Sequence, residues 1–394
     1  MGVDTPQMHE ASIDPDTDAD VAVESMVGDR ERLTAVVRRV TGRADAQVAT
    51  VRVRPASRRV ENYTTQALTH VWGTLVDGTP WRVFAKTLRP AWHAPQWELI
   101  PPQFHEQVRR TLDWQDEPRV YASPLARDLP PGVRFPHLLA VDDGEERITV
   151  WLEDVDDTQA WDPARYQRTA RRLGRLAGRW PEHRVVDELG LRRRPHVQTL
   201  FSKVTHADLP ALADDALWQT PALQAATARH GDLRGDLDRL AAVAPTLVEA
   251  YEDLPTALAH GDATPDNLHE PTPGDTVAID LSYVGPAALG SDLSQLLVGR
   301  FESGAATEHD LDAITATLLP AYLDGLADEG LDVDPDHVEA GWAITLAIRS
   351  VFTALLVDHR PDLDQATRDE LLARRALTCR FGLDLALDVA NRLR

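Results

Sequence analysis

Up to about Leu152 the chain is dominated by short apolar runs bounded by turn residues, and beyond Asp157 apolar positions recur at helical spacing, so strands come first and helices later. A short amphipathic helix is expected from Glu31 to about Thr41. Strands are expected over Ala49 to Val53, Val60 to Ala67, Thr69 to Leu75 and Trp81 to Leu88, the last two joined at Asp77-Gly78-Thr79-Pro80. A helix-rich insert follows, with a short helix over Asp116 to Ser123 that carries Glu117 and Pro118 in its first turn, where proline is tolerated. Strands near His137 to Val141 and Arg147 to Leu152 complete a small antiparallel sheet. Helical spacing then runs from Asp162 to Arg179, from about Thr220 to Tyr251, from Asp310 to Glu329, and from Asp334 to the C-terminus. The pattern indicates an α+β protein: an acidic tail over residues 1–30, a sheet-bearing N-terminal domain over 31–153 and a helical domain over 154–394.

Composition narrows this picture. The 394 residues include 63 acidic and 41 basic side chains, a net charge of -22, which argues against a nucleic-acid partner. The acidity suits solubility, and it is compatible with a cationic small molecule drawn by the field. The first 30 residues hold eight acidic groups against one arginine and read as a disordered tail. One cysteine, Cys379, leaves no disulfide framework; with no leader-like N-terminus and no run approaching a membrane span, a cytoplasmic location is expected. Oligomeric state is not readable. Only two of the 41 basic residues are lysines, Lys86 and Lys203, so each is a candidate for a task arginine does not perform. Lys203 also fits chance retention, whereas Lys86 ends the apolar strand Trp-Arg-Val-Phe-Ala-Lys.

The strongest chemical signal is His260-Gly-Asp-Ala-Thr-Pro-Asp-Asn267, with Val-Ala-Ile-Asp280 thirteen residues on. In phosphoryl transfer from a magnesium nucleotide, one Asp accepts the proton of the attacking hydroxyl, an Asn five positions later reaches a metal ion, and a second Asp at a strand end holds the metals. Asp262, Asn267 and Asp280 have that order and spacing. The intervening segment reads as strand, Pro/Gly/Asp turn and strand, a hairpin that returns Asp280 to the loop. Lys86 stands where a lysine would contact the nucleotide phosphates. No Walker loop, dinucleotide fingerprint, His-Glu-x-x-His pair or Gly-x-Ser-x-Gly elbow occurs. Arg192-Arg193-Arg194 reads either as an anion site or as a solvated loop.

With these residues in view, the sequence resembles the aminoglycoside phosphotransferase family, small-molecule kinases with the bilobal protein-kinase-like fold, over roughly residues 55 to 394. The resemblance implies Asp262 as catalytic base, His260 as support for the loop, Asn267 and Asp280 as Mg2+ ligands, and Asp292 as a brace from the following helix. It also implies Lys86 as the phosphate lysine and Glu117 as its ion-pair partner, with Glu106 as a rival. Thr64 and Thr65, in Glu61-Asn62-Tyr63-Thr64-Thr65, would supply hydroxyls to the phosphates, and Leu152, Glu153 and Val155 would form the adenine-binding hinge. Two departures stand out: the phosphate segment has no glycine, and Leu281 follows the metal Asp where relatives often carry an aromatic. The implied activity is transfer of the γ-phosphoryl group of ATP or GTP to a hydroxyl of an antibiotic, amino sugar or related metabolite. A kinase-like nucleotide-binding module without transferase activity is the alternative. No Ala-Pro-Glu activation segment suggests a protein kinase.

Overall fold

The computed structural model describes residues 30–56, 62–193, 195–302, 308–357 and 364–393. The acidic tail ahead of Arg30, the start of the strand expected from Val60, and Arg194 lie outside them. The chain forms two compact units. One comprises residues up to Trp97 together with His137–Asp154, and the other Glu98–Pro136 with Val155–Arg394.

In the first unit the helix Arg30–Thr41 buries Leu33, Val36 and Val37, the i, i+3, i+4 stripe that gives a helix one apolar face. They join Val71, Val83 and Trp151 in one core. Strands β1 (Val48–Pro55), β2 (Thr65–Leu75) and β3 (Pro80–Leu88) run consecutively. The chain then contributes β4 (Val133–Arg134) to the second unit before returning as β5 (Leu138–Asp143) and β6 (Ile148–Glu153). The sheet order is β1-β2-β3-β6-β5, with antiparallel neighbours throughout. The β2–β3 hairpin closes on the expected turn, where the Leu75 N–H donates to the Thr79 carbonyl at 2.8 Å. One expectation fails here. Between Ala67 and Thr69 there is no break, because no turn residue interrupts the alternation; β2 is continuous, with an irregular register only between Thr65 and Ala67.

The second unit is mostly helical. Pro163–Arg179 starts where Asp162 caps it, accepting the Arg165 N–H at 2.7 Å. It lies close against Glu308–Asp328 through glycine on both sides: a Cβ on Gly174 would stand 2.1 Å from the Tyr322 carbonyl oxygen, and one on Gly325 would stand 2.0 Å from that of Arg171. The helical spacing expected from about Thr220 to Tyr251 is carried by two helices, Pro221–His230 and Leu233–Glu252. Gly231, at φ 84, ends the first, and the Asp232 carboxylate caps the second through the Gly235 N–H. The C-terminal span is likewise interrupted: Pro335–Leu346 passes into a π-helical turn, Ala347–Val351, then Phe352–Ala354, and a long helix Gln365–Arg392 follows.

The insert Glu98–Pro136, read with the sheet from sequence, clusters with the helical unit. Its helix Asp116–Ala122 is tied there by a bond from the Leu281 N–H to Glu117 Oε1. Among the described residues no helix is long and apolar enough to cross a membrane.

Candidate active site

Strands β7 (Thr256–Ala259) and β10 (Gly285–Ala288) pair antiparallel, with Ala259 opposite Gly285, and β7 delivers the chain into His260 at the edge of a buried layer. There the backbone must turn sharply. Gly261 takes φ 78, and a Cβ at that position would lie 2.4 Å from the Tyr283 carbonyl oxygen, so only glycine fits. Asp292, in the first turn of the helix Ser291–Glu302, pins this corner: its two carboxylate oxygens accept the N–H groups of His260 and Gly261, each at 2.8 Å. Burial pushes the Asp292 carboxyl upward, against the pull of the N–H groups it accepts. The His260 ring supports the loop from within. Its Nε2 bonds the Ile279 carbonyl at 3.0 Å, and its Nδ1 accepts the Asp262 N–H at 3.3 Å.

The loop closes in a 3-10 turn, Pro265–Asn267, which leaves Asn267 wholly buried. Its Nδ2 donates to the Asp262 carbonyl at 2.9 Å and to Asp262 Oδ2 at 3.0 Å, an orientation that assigns the amide oxygen to the opposite side. The chain proceeds into β8 (Leu268–His269) and returns as β9 (Thr276–Ala278), the expected hairpin, with Leu268 opposite Ala278. The Ile279 N–H donates to the Asn267 carbonyl at 2.9 Å, so the residue before Asp280 is one hydrogen bond from Asn267. Asp280 adopts φ 56, the only non-glycine with positive φ among the described residues, a strained conformation of the kind that gathers at functional sites. The Ser282 hydroxyl donates to its Oδ1 at 3.0 Å. Leu281, where an aromatic was the alternative, is fully buried.

Glu117 is nearly fully buried, and besides accepting the Leu281 N–H it helps, after burial itself and together with Asp280, to push the Tyr121 hydroxyl well above its ordinary pKa. Its rival Glu106 is exposed and bonded to Arg110 at 2.9 Å. In the first unit, Lys86 is buried on β3, opposite Leu68 of β2 and Val150 of β6. Thr64 and Thr65 are also buried; Asn62 Oδ1 accepts both the N–H and the hydroxyl of Thr64 at 2.9 Å. Leu152 and Glu153 end β6, and the chain passes from one unit to the other between Asp154 and Val155, within the segment expected as the hinge. The Val155 carbonyl accepts from His269 Nδ1 at 3.2 Å.

Two arginines escaped the sequence reading. Arg349, in the π-helical turn, donates through Nη2 to Asp262 Oδ1 and through Nη1 to the Gly261 carbonyl, both at 2.6 Å. The signal was there: Arg349 is the sole charged residue between Ala340 and Val357, and a lone charge in so apolar a helix needs a partner. Arg165, 1% exposed, donates to the Leu268 carbonyl at 2.7 Å, pairs with Asp157 at 2.9 Å and with the buried Glu270 at 3.3 Å. It thereby holds the start of the hairpin from behind. Helical periodicity gave no hint of this, because its partners lie in other elements. Arg193 of the arginine cluster is structural, bonding the carbonyls of Tyr251 and Glu252 at 2.8 and 2.9 Å, and Lys203 pairs with Asp208 at 2.9 Å.

A magnesium ion fits this donor set. The Asp280 carboxylate and the Asn267 amide oxygen are hard oxygen donors, and magnesium commonly binds through one or two carboxylates plus substrate phosphates and water. Among the described residues no group of three or more His, Cys, Asp or Glu gathers as a protein-only cage, which a magnesium nucleotide does not require.

No protein-family model and no curated protein matches the sequence. Solved structures do. An aminoglycoside phosphotransferase from Alicyclobacillus acidocaldarius matches with a TM-score of 0.50 at 14% identity, over 90% of this chain and 96% of that one. Amicoumacin kinase hAmiN, in complex with AMP-PNP and Ca2+, gives 0.47 at 16% identity over 84% and 88%. Choline kinase LicA from Streptococcus pneumoniae gives 0.41 at 13% identity over 86% and 94%; these two lower scores add no weight. The chain has the protein-kinase-like fold found in the aminoglycoside phosphotransferase of Alicyclobacillus acidocaldarius.

Proposed function

We propose that the protein is a magnesium-dependent phosphotransferase that moves the γ-phosphoryl group of ATP, or of GTP, to a hydroxyl of a small molecule. The observation that carries this reading is the constellation of Asp262, Asn267 and the Asp280 strand end, joined by direct hydrogen bonds on a loop pinned by Asp292. A turn formed for its own sake needs neither a strained aspartate nor an asparagine wholly buried against a second carboxylate.

In this reading the acceptor oxygen attacks the γ-phosphorus as the bond to the bridging β,γ-oxygen breaks and ADP departs. The hydroxyl proton passes to Asp262, whose carboxylate is held in place by Asn267 and Arg349. Asn267 and Asp280 would hold magnesium, which when bound offsets the charge of the phosphates. Lys86 contacts the phosphates as a compact charge, Thr64 and Thr65 offer hydroxyls to them, and Leu152, Glu153 and Val155 receive the adenine. Positioning and electrostatics supply most of such catalysis.

The test is ADP release from Mg-ATP over a panel of hydroxyl compounds, with wild type beside Asp262→Asn. Release that needs magnesium and is lost in the variant supports the reading; release unaffected by the variant rejects it. The glycine-free Asn62–Thr65 segment favours the alternative, a nucleotide-binding module, which would bind Mg-ATP in calorimetry and release no ADP.

A further inference from the structure

We propose that Arg349 is an acceptor-binding and positioning residue, and that the acceptor carries a carboxylate or other anionic group beside its hydroxyl. This rests on the phosphotransferase reading above. Both oxygens of Asp262 are already bonded, Oδ1 to Arg349 and Oδ2 to Asn267. Asp262 and Arg349 thus form one ion pair, so an incoming ammonium would meet a carboxylate whose charge is already offset, with a guanidinium beside it.

Arg349 itself has capacity left. A guanidinium has five N–H donors in a planar fork. The described residues take one from Nη1 and one from Nη2, and the side chain is 26% exposed rather than sealed in the core. The remaining donors belong to a cation held rigidly at the catalytic carboxylate, the geometry that recognises a carboxylate in the plane of the fork. Asp292, whose carboxylate also interacts with Arg349, is already taken up by the N–H groups of His260 and Gly261, and the uncharged Tyr283 packs on Gly261. A hydroxy acid would place its anion on Arg349 and its hydroxyl at Asp262. The overall charge of -22, which by itself suited a cationic partner, is overridden at this point by one local arginine.

The experiment compares matched probes in the ADP-release assay: hydroxy acids (glycerate, gluconate, malate), the corresponding uncharged alcohols (glycerol, sorbitol) and amines (glucosamine, kanamycin). Asp262→Asn is run in parallel, so that loss of the phosphotransferase reading shows as release indifferent to that substitution. The expected result is preference for a hydroxy acid over its alcohol and over both amines in the wild type. Arg349→Gln should raise the KM for that acid by about ten- to hundredfold, the worth of a charge-assisted bond, with a smaller change in kcat, and Arg349→Lys should restore part of it. A purely structural arginine would depress all probes alike. Preference for an amine, no response to any hydroxy acid, or an acid KM that Arg349→Gln leaves in place would overturn the proposal. The wild-type preference is read without any variant, so misfolding of a substituted protein does not shield it.

Discussion

The two segments proposed for catalysis and for the nucleotide phosphates are braced differently. The loop from His260 to Asn267 is held by charged groups far away in sequence: Asp292 on its N–H groups, Arg349 on its carbonyl and carboxylate, and Arg165 on the hairpin that follows. The Asn62–Thr65 turn is held by a neutral amide two residues away, Asn62 on Thr64, and by Arg89, whose N–H donates to the Thr64 carbonyl at 2.8 Å and whose Nε donates to the Tyr63 carbonyl at 3.5 Å. Local side-chain bonds like that of Asn62 form wherever the sequence puts Asn before a turn. The contrast teaches that Asp262 is fixed by ionised side chains that the folded helical unit brings together, whereas the Asn62–Thr65 turn rests on its own amide and on the chain just past the end of β3.

The sharpest way to break this comparison is Asp262→Asn, expected to lower kcat by about 10³-fold or more as the proton acceptor is lost. Steady-state ADP release measures it, and activity within tenfold of wild type would remove Asp262 from its role. Next is Arg165→Met, which strands Glu270 and Asp157 without their buried cation. A loss of about 3 kcal/mol in urea unfolding is expected, and a neutral result would mean that the hairpin does not depend on long-range charge. Asp292→Asn turns one of two acceptors into a donor facing a buried N–H, at about 2 kcal/mol. Because burial raises the Asp292 carboxyl, the wild type should also lose stability as pH climbs from the ordinary carboxylate range towards that raised value, and the D292N variant should lack this slope. Smallest is Asn62→Ala, about 1 kcal/mol by analogy with cap removal, read as a rise of a few fold in the KM for ATP with kcat little altered. A larger effect than that of Asp292→Asn would invert the comparison.

Much of the site was open to reading in the chain itself. The Asp262 to Asn267 step, the returning hairpin and the place of Lys86 on an apolar strand all follow from order and spacing, because they are matters of local geometry. So do the strand-first, helix-later architecture and the Asp162 cap. Three things did not follow. Apolar spacing alone reads through the Gly231-Asp232 stop and cap, and through the π-helical turn at Ala347–Val351. Glu117 and its helix belong with the helical unit, where Glu117 accepts the Leu281 N–H, a pairing that no periodicity encodes. Above all, Arg349 is a lone charge in an apolar helix until folding brings it, from 87 residues away, to Asp262. Sequence determined which groups could do chemistry, since residue type and spacing act over a few bonds; tertiary packing decided which cation faces the Asp262 carboxylate, since that depends on where distant helices come to rest.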